Sequence, residues 1–283
     1  MIDAATAPTS PETDSGLRHD RLSVDLIRRR LTTERVGFKT YVFDEVSSTS
    51  AVLRGLAEIG APDGTVVLAE GQHAGRARLG KSWFSPPGVN LYASVLFRRA
   101  MTVAEVPVFS FIASLALTDA IRAEGVPAVI KWPNDVLVDR RKIAGSLVTC
   151  AVADDVLEYV ILGVGVNLNV DRDALGAALG AEAARATSLS ETCGRPIDRN
   201  AFTAAFLNFL EQWADTYAAR GADAIRSAWE RRDVLIGRLV EIREPGATYR
   251  AEVLEISRDG RLIVEDAQGA RRELLAGEIT ILY

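Results

Sequence analysis

The chain has 283 residues, 48% of them hydrophobic and 25% charged, which is the composition of an ordinary globular protein and not of a disordered or fibrous one. A net charge of −5 excludes a surface built mainly to hold nucleic acid. The two cysteines, Cys150 and Cys193, and the two histidines, His19 and His73, are too scattered for a zinc site or a histidine-based triad, so no protein-bound metal is expected.

In chain order, residues 1–20 are rich in Ala, Pro, Ser, Thr and Asp without an apolar period, and predict a disordered tail. They lack the basic start and apolar centre of a secretory signal, and no run of 18 apolar residues occurs anywhere. A cytoplasmic protein with no membrane partner is therefore expected. Residues 22–31 read as a short helix capped by Ser23. A strand at 41–43 leads into Ser47, Ser48, Thr49 and Ser50, followed by a helix through 51–59. Residues 64–70 read as a buried strand. The stretch 89–97 reads as a strand with one packed face formed by Leu91, Ala93, Val95 and Phe97.

Helical spacing of Val108, Phe111, Ile112, Leu115 and Ile121 predicts a helix over 107–124, stopped by Gly125. The apolar runs 143–152 and 156–162, joined at Asp154 and Asp155, predict a hairpin. From Asp198 to Gly221, Phe202, Phe206, Phe209, Trp213 and Tyr217 recur at helical spacing. That stripe reads as core, not as a cofactor box. After Arg232 the texture changes to short β-like runs at 234–242, 249–256, 261–265 and 272–282, separated by Gly-containing turns. They predict a small separate β-barrel, hence a tail (1–20), a main domain (21–232) and a C-terminal domain (233–283).

The segment 71–98 decides the function. Gly75, Gly80, Lys81 and Ser82 satisfy the phosphate-loop pattern G-x-x-x-x-G-K-[ST]. A phosphate loop needs a buried strand directly before its first Gly and a helix starting at its Lys. Here the apolar run ends at Ala69, and Pro86, Pro87 and Gly88 forbid a helix after Lys81 beyond its first turn. A nucleotide hydrolase is the poorer reading. A merely solvated basic loop is disfavoured too, because Trp83 and Phe84 follow directly and the loop sits between two buried strands.

The segment resembles the ligand loop of biotin protein ligases. Gln72, Gly75, Arg76, Arg78, Gly80, Trp83, Ser85, Pro86, Gly88, Asn90, Leu91, Tyr92 and Ser94 match that pattern. A second motif of the family is complete as Lys131, Trp132, Pro133, Asn134, Asp135, Lys142 and Gly145. A third, G-x-G-x-N, is present as Gly163, Gly165 and Asn167. Ser48 and Thr49 ahead of a helix, residues 186–189, and Gly277 with Glu278 and Ile279 near the chain end also match. The resemblance covers residues 22–283. It implies an α+β fold: a mixed β-sheet catalytic domain packed with helices, of the class II synthetase-like biotin/lipoate ligase type, plus a small C-terminal Src-homology-3-like β-barrel.

The implied reaction joins the biotin carboxylate to the α-phosphate of ATP, then passes the acyl group to one lysine of a biotin carboxyl carrier protein. Two anions must meet, so the site needs cations held where charge develops. The resemblance makes Arg78 and Lys142 the catalytic candidates. It implies biotin contacts from Ser48, Thr49, Ser50, Gln72, Arg76, Ala77, Arg78, Lys142 and Gly145. Nucleotide contacts are implied for Arg78, Lys81, Trp83 (stacked on adenine), Asn90, Lys131, Asn134, Asp135 and Asn167. Magnesium would be held mainly by phosphate oxygens, and the protein is expected as a monomer or weak homodimer. A Gly-rich loop that orders over the ligand would protect the mixed anhydride from water.

Four departures from the pattern stand out. Ala77 replaces a Gly, which would strain a left-handed backbone by roughly 1 kcal/mol. Ser50 replaces an Asn, Lys81 an Arg, and Ser146 and Thr149 an apolar residue and a Glu. The rival readings are a lipoate or octanoyl ligase of the same superfamily and a non-catalytic adenylate-binding regulator. The former is disfavoured by the absence of an Arg-Arg-x-x-Gly-Gly-Gly-type segment.

Overall fold

The computed structural model describes residues 21–98, 102–154, 156–244, 246–275 and 277–282. The expected N-terminal tail lies outside them. Helix α1 (Val24–Arg28) is capped by Ser23, whose hydroxyl accepts from Leu26 N. Then come β1 (Thr40–Val46), α2 (Thr49–Glu58), β2 (Val66–Gln72), β3 (Leu91–Phe97) and α3 (Val106–Ala123). The short strands β4 (Val129–Lys131) and β5 (Asp135–Val138) precede the long hairpin β6 (Arg141–Ala153) and β7 (Val156–Val166). Helices α4 (Arg172–Leu179), α5 (Leu189–Cys193) and α6 (Arg199–Glu230) complete the larger part.

One seven-stranded sheet runs β1-β2-β3-β7-β6-β5-β4. The β1–β2 pair is parallel and every other pair antiparallel, so the sheet is mixed as expected. Helices α3 and α6 cover one face, where Phe97, Phe109, Ile112, Leu115, Phe202 and Phe206 form the main core. On the other face α2 packs Leu53 and Ala57 onto Val67, Leu96, Tyr159 and Ile161. This second layer corrects the reading of β3. All seven of its residues are buried, because α2 returns across the face that alternation had assigned to solvent. The segment Val103–Ala123 is long and apolar enough to cross a membrane, but 67% of its apolar 18-residue window is buried, as befits a core helix.

Helix α6 also differs from expectation. It continues to Glu230 past Gly221, where a φ of 74° breaks its axis. The aromatic stripe ends at that break, which is why the helical period faded there.

The C-terminal strands β8 (Leu239–Glu244), β9 (Ala247–Ile256), β10 (Leu262–Asp266), β11 (Arg271–Leu274) and β12 (Glu278–Ile281) form a second, antiparallel sheet in the order β11-β10-β9-β8-β12. Five strands replace the four expected runs, because 272–282 divides in two. The first run begins late, because residues 232–234 pair instead with β4: Ile130 N donates to Arg232 O at 2.8 Å and Val234 N to Ile130 O at 2.9 Å. The turn at Gly260 then touches the large sheet's neighbourhood, accepting from Trp132 Nε1 at 2.9 Å.

At this junction the Asp233 Oδ1 accepts from Leu235 N and Ile236 N at 2.7 and 2.8 Å. Burial pushes its carboxyl up to about 6 against these donors. Between the unfolded value of roughly 3.9 and about 6, the folded chain binds a proton that the unfolded chain does not. Its contribution therefore weakens stability as pH rises through that window. Asp233→Asn is expected to flatten that slope and to stabilise the protein above about pH 6, read by urea unfolding across the window.

Candidate active site

A cleft of about 850 Å³ opens on the α2 side of the large sheet, within the range of small-ligand sites. Helix α2 covers only part of that face. Beyond it, strand register brings three glycines together. Gly165 lies opposite both Gly145 and Tyr92, and Gly163 opposite both Leu147 and Ser94. Lacking side chains, these positions leave a trough in the sheet surface. A Cβ on Gly165 would lie 2.5 Å from the Trp83 indole, and one on Gly163 would lie 2.7 Å from Ser50 Oγ. The G-x-G-x-N motif was legible in the sequence, but the space it creates was not.

One end of the trough is polar and uncharged. The start of α2 presents Thr49, whose N and Oγ1 donate to Gln72 Oε1 at 3.0 and 3.3 Å. Gln72 Nε2 donates to Ser85 Oγ at 3.0 Å, and that hydroxyl donates to Trp83 O at 2.9 Å. Ser94 Oγ lies 2.8 Å from Thr49 Oγ1 and 2.9 Å from Ser50 Oγ. Ser94 had been noted only as a pattern match. Its pairing with α2 depends on the sheet bringing β3 under that helix. Ser50, a departure from the family pattern, thus belongs to the same hydroxyl array.

The ligand loop is a small hairpin. Trp83 N donates to Gly75 O at 3.0 Å and Ala77 N to Lys81 O at 2.8 Å, with the turn at Arg78, Leu79 and Gly80. Ala77 has φ −122°, an ordinary extended value, so its substitution for Gly carries no strain. Leu79 and Gly80 take the left-handed conformations instead, at φ 56° and 72°. Gly75 is needed for closeness: a Cβ there would sit 2.7 Å from Ser85 Oγ and 2.8 Å from Trp83 O. Strand β2 runs three residues past the apolar segment, to Gln72, yet no helix follows Lys81, whose backbone is extended. The chain therefore builds no phosphate loop from its matching letters.

The other end of the trough is cationic. Lys142 Nζ lies 2.5 Å from Asp135 Oδ1 across the β5–β6 hairpin, and 5.3 Å from the Trp83 ring centre. Arg78 Nη1 donates to Asn134 Oδ1 at 3.5 Å, and its guanidinium lies 6.0 Å from the Trp132 ring. Burial pushes the Arg78 guanidinium down from its usual value while nearby Asp135 opposes that shift; an arginine stays charged nonetheless. Asn134 Nδ2 donates to Ser146 O. Asn167 Nδ2 donates to Thr187 O at 3.0 Å, and Thr187 N to Lys142 O at 2.9 Å. The stretch after α4 therefore braces the lysine's backbone.

Of the residues singled out in the sequence, Ser48, Thr49, Ser50, Gln72, Arg76, Ala77, Arg78, Lys81, Trp83, Lys131, Asn134, Asp135, Lys142, Gly145 and Asn167 all line this cleft. Asn90 does not. It is fully buried beneath the wall, where its Oδ1 accepts from Leu168 N at 2.9 Å. Its side chain fastens the chain just past β7 and does not face the cleft. Trp83, expected on adenine, packs on Gly165 beside Lys142, with its indole N–H buried and without a hydrogen-bond partner among the described residues. Arg140, Arg185 and, from the second sheet, Arg243, Ile279 and Thr280 also line the cleft. Ile279 had been noted only as a pattern match near the chain end, and no local pattern marked the three arginines or Thr280, because their approach depends on how the second sheet, the β5–β6 turn and the stretch after α4 pack.

A family model described as the biotin/lipoate A/B protein ligase family matches residues 42–167. A biotin–[acetyl-CoA-carboxylase] ligase of Mycobacterium tuberculosis is 32% identical over 93% of this chain and 98% of its own length. A bifunctional ligase/repressor BirA of Bacillus spizizenii is 32% identical over 89% of this chain and 77% of its own. Among solved structures, the biotin protein ligase from Aquifex aeolicus in complex with biotin and ATP aligns with a TM-score of 0.70. That alignment has 24% identity and covers 87% of this chain and 99% of the other, a likeness of fold. With end-to-end similarity at this level and the same three motifs gathered on one cleft, the chain belongs to the biotin/lipoate protein ligase family, and within it to the biotin protein ligases.

Proposed function

We propose that the chain activates biotin with ATP to biotinyl-5′-AMP and transfers the biotinyl group to a lysine of a biotin carrier domain, releasing AMP. The carrying observation is the polarity of the trough, with hydroxyls and an amide at one end and Arg78 and Lys142 at the other. Biotin suits that gradient: an apolar ring system on glycine-paved sheet, its ureido group at the Thr49, Ser50, Gln72 and Ser94 array, its carboxylate toward Lys142. A carboxylate oxygen attacks the α-phosphorus and diphosphate leaves. The carrier lysine's amine then attacks the acyl carbon and AMP leaves. Lys142 and Arg78 neutralise the two anions as they meet, and fixed cations need no rearrangement as the transition state forms.

Lys81, Lys131, Asn134 and Asn167 would surround the nucleotide, and Arg76 and Ala77 the carboxylate. Asp135 orients Lys142. Among the described residues no three His, Cys, Asp or Glu gather to hold a metal ion. Magnesium carried on the phosphates fits that set, since it commonly binds through substrate oxygens and water.

Incubation with ATP, labelled biotin and a biotin carrier domain tests the reading. Label on one carrier lysine is the expected result. Adenylate retained without transfer would favour a regulator, and labelling from lipoate or octanoate in place of biotin would favour the rival ligase. Gly165→Val fills the trough and displaces Trp83. It should raise the KM for biotin by about 10- to 100-fold, in line with an overpacking penalty of ~1–3 kcal/mol, as steady-state kinetics would show.

A further inference from the structure

The stem of the ligand hairpin is fastened from below by a buried charge. Arg199, the first residue of α6, is fully buried, so its guanidinium must be paired in place. Its partners come from both ends of the hairpin. Nη2 lies 2.6 Å from Glu70 Oε2 on the entering strand β2. Nη1 donates to Gly88 O and Nε to Asn90 O, each at 3.0 Å, on the leaving segment.

Glu70 is equally committed. Its Oε1 accepts from Leu22 N at 2.7 Å, and its carbonyl from Gly88 N at 3.1 Å. Two further carbonyls of the leaving segment are engaged: Pro86 O accepts from the Tyr92 hydroxyl, and Val89 O from Asn169 N, both at 2.9 Å. Neither Arg199 nor Glu70 lines the cleft.

We propose that Arg199 and Glu70 are positioning residues: a clamp that joins the two ends of the hairpin and so holds residues 73–84 down over the cleft, retaining the acyl-adenylate until the carrier lysine arrives. The proposal rests on the ligase reading above. A buried ion pair is poorly suited to adding stability, since apolar groups of similar volume often serve as well or better. The fork of an arginine, however, reaches three acceptors on two separate segments at once, which a lysine or an apolar side chain does not. Because the clamp lies under the stem, its effect falls on how firmly the hairpin stays down and not on the reacting atoms.

The double variant Glu70→Leu/Arg199→Met removes both charges together. In the folded variant, amide exchange across 73–84 in the free protein should quicken by at least about 10-fold while the sheet and α3 keep their protection. Dissociation of biotinyl-adenylate, followed by chase, should quicken by at least about 10-fold, with adenylate formation at saturating substrates nearly unchanged. A purely structural pair would instead alter exchange throughout or not at all. Parent-like hairpin exchange and adenylate release in the folded variant would overturn the clamp. Arg199→Lys keeps a charge opposite Glu70 but cannot reach both carbonyls; it takes the same two readouts should the double variant not fold. If the parent protein makes no adenylate, the ligase reading fails, and the exchange measurement, which needs no ligand, still judges the clamp.

Discussion

Replacing Lys142 with alanine should lower the rate of adenylate formation at least about 100-fold, the usual loss on removing one preorganised donor to developing charge. The ammonium is held 2.5 Å from Asp135, and its backbone is braced by Thr187 N donating to Lys142 O at 2.9 Å. It is thus pre-aimed at the trough before any substrate binds. The variant also leaves the Asp135 carboxylate unpaired beside two incoming anions, so repulsion adds to the lost attraction. Lys142→Ala/Asp135→Asn should therefore recover part of the rate. Because the two side chains are 34% and 25% exposed, the pair adds little to stability, and thermal unfolding should barely move. Single-turnover formation of labelled adenylate makes the measurement, and a parent-like rate in Lys142→Ala would refute the assigned role.

Arg78→Ala should produce a comparable loss, again about 100-fold, but by a different route. The guanidinium is half-buried, lies over Trp132 and reaches Asn134, so its position depends on the hairpin that carries it. A fork suits a carboxylate or phosphate bidentately, whereas an ammonium acts as a point charge. Arg78→Lys should therefore restore only a minor part of the rate, and its main defect should appear as a raised KM for ATP or biotin. Full activity in Arg78→Lys would show that charge alone matters there. Removing the Arg78 side chain also takes a neighbour from Trp132, whose indole N–H is bonded to Gly260. Comparing the unfolding of both Arg78 variants separates that packing effect from the chemistry.

The rejected phosphate loop shows what pattern alone is worth. Gly75, Gly80, Lys81 and Ser82 have the required spacing, but the physical requirement was a helix start, and Pro86 and Pro87 already argued against one. The extended backbone at Lys81 and the hairpin pairing of Gly75 with Trp83 agree with that local argument. Ala77 is the opposite case. Whether its position needed a left-handed backbone could not be read from neighbouring letters, and the turn placed that demand on Leu79 and Gly80.

What the amino-acid order determined by itself was what depends on near neighbours: helix periods and caps, most strands, the turn-rich C-terminal segment, and three motifs whose residue types suit a carboxylate meeting a phosphate. Tertiary structure alone decided the fate of side chains whose partners are remote in sequence. It buried Asn90 under the wall with its side chain on Leu168 N, set Ser94 under α2, lined up Gly145, Gly163 and Gly165 as one trough, and brought Arg243 to its rim. It also carried Arg199 across to Glu70, 129 positions away. Periodicity reports which face of an element is apolar, whereas a polar group's role depends on which distant element covers that face, and only the packed fold specifies that.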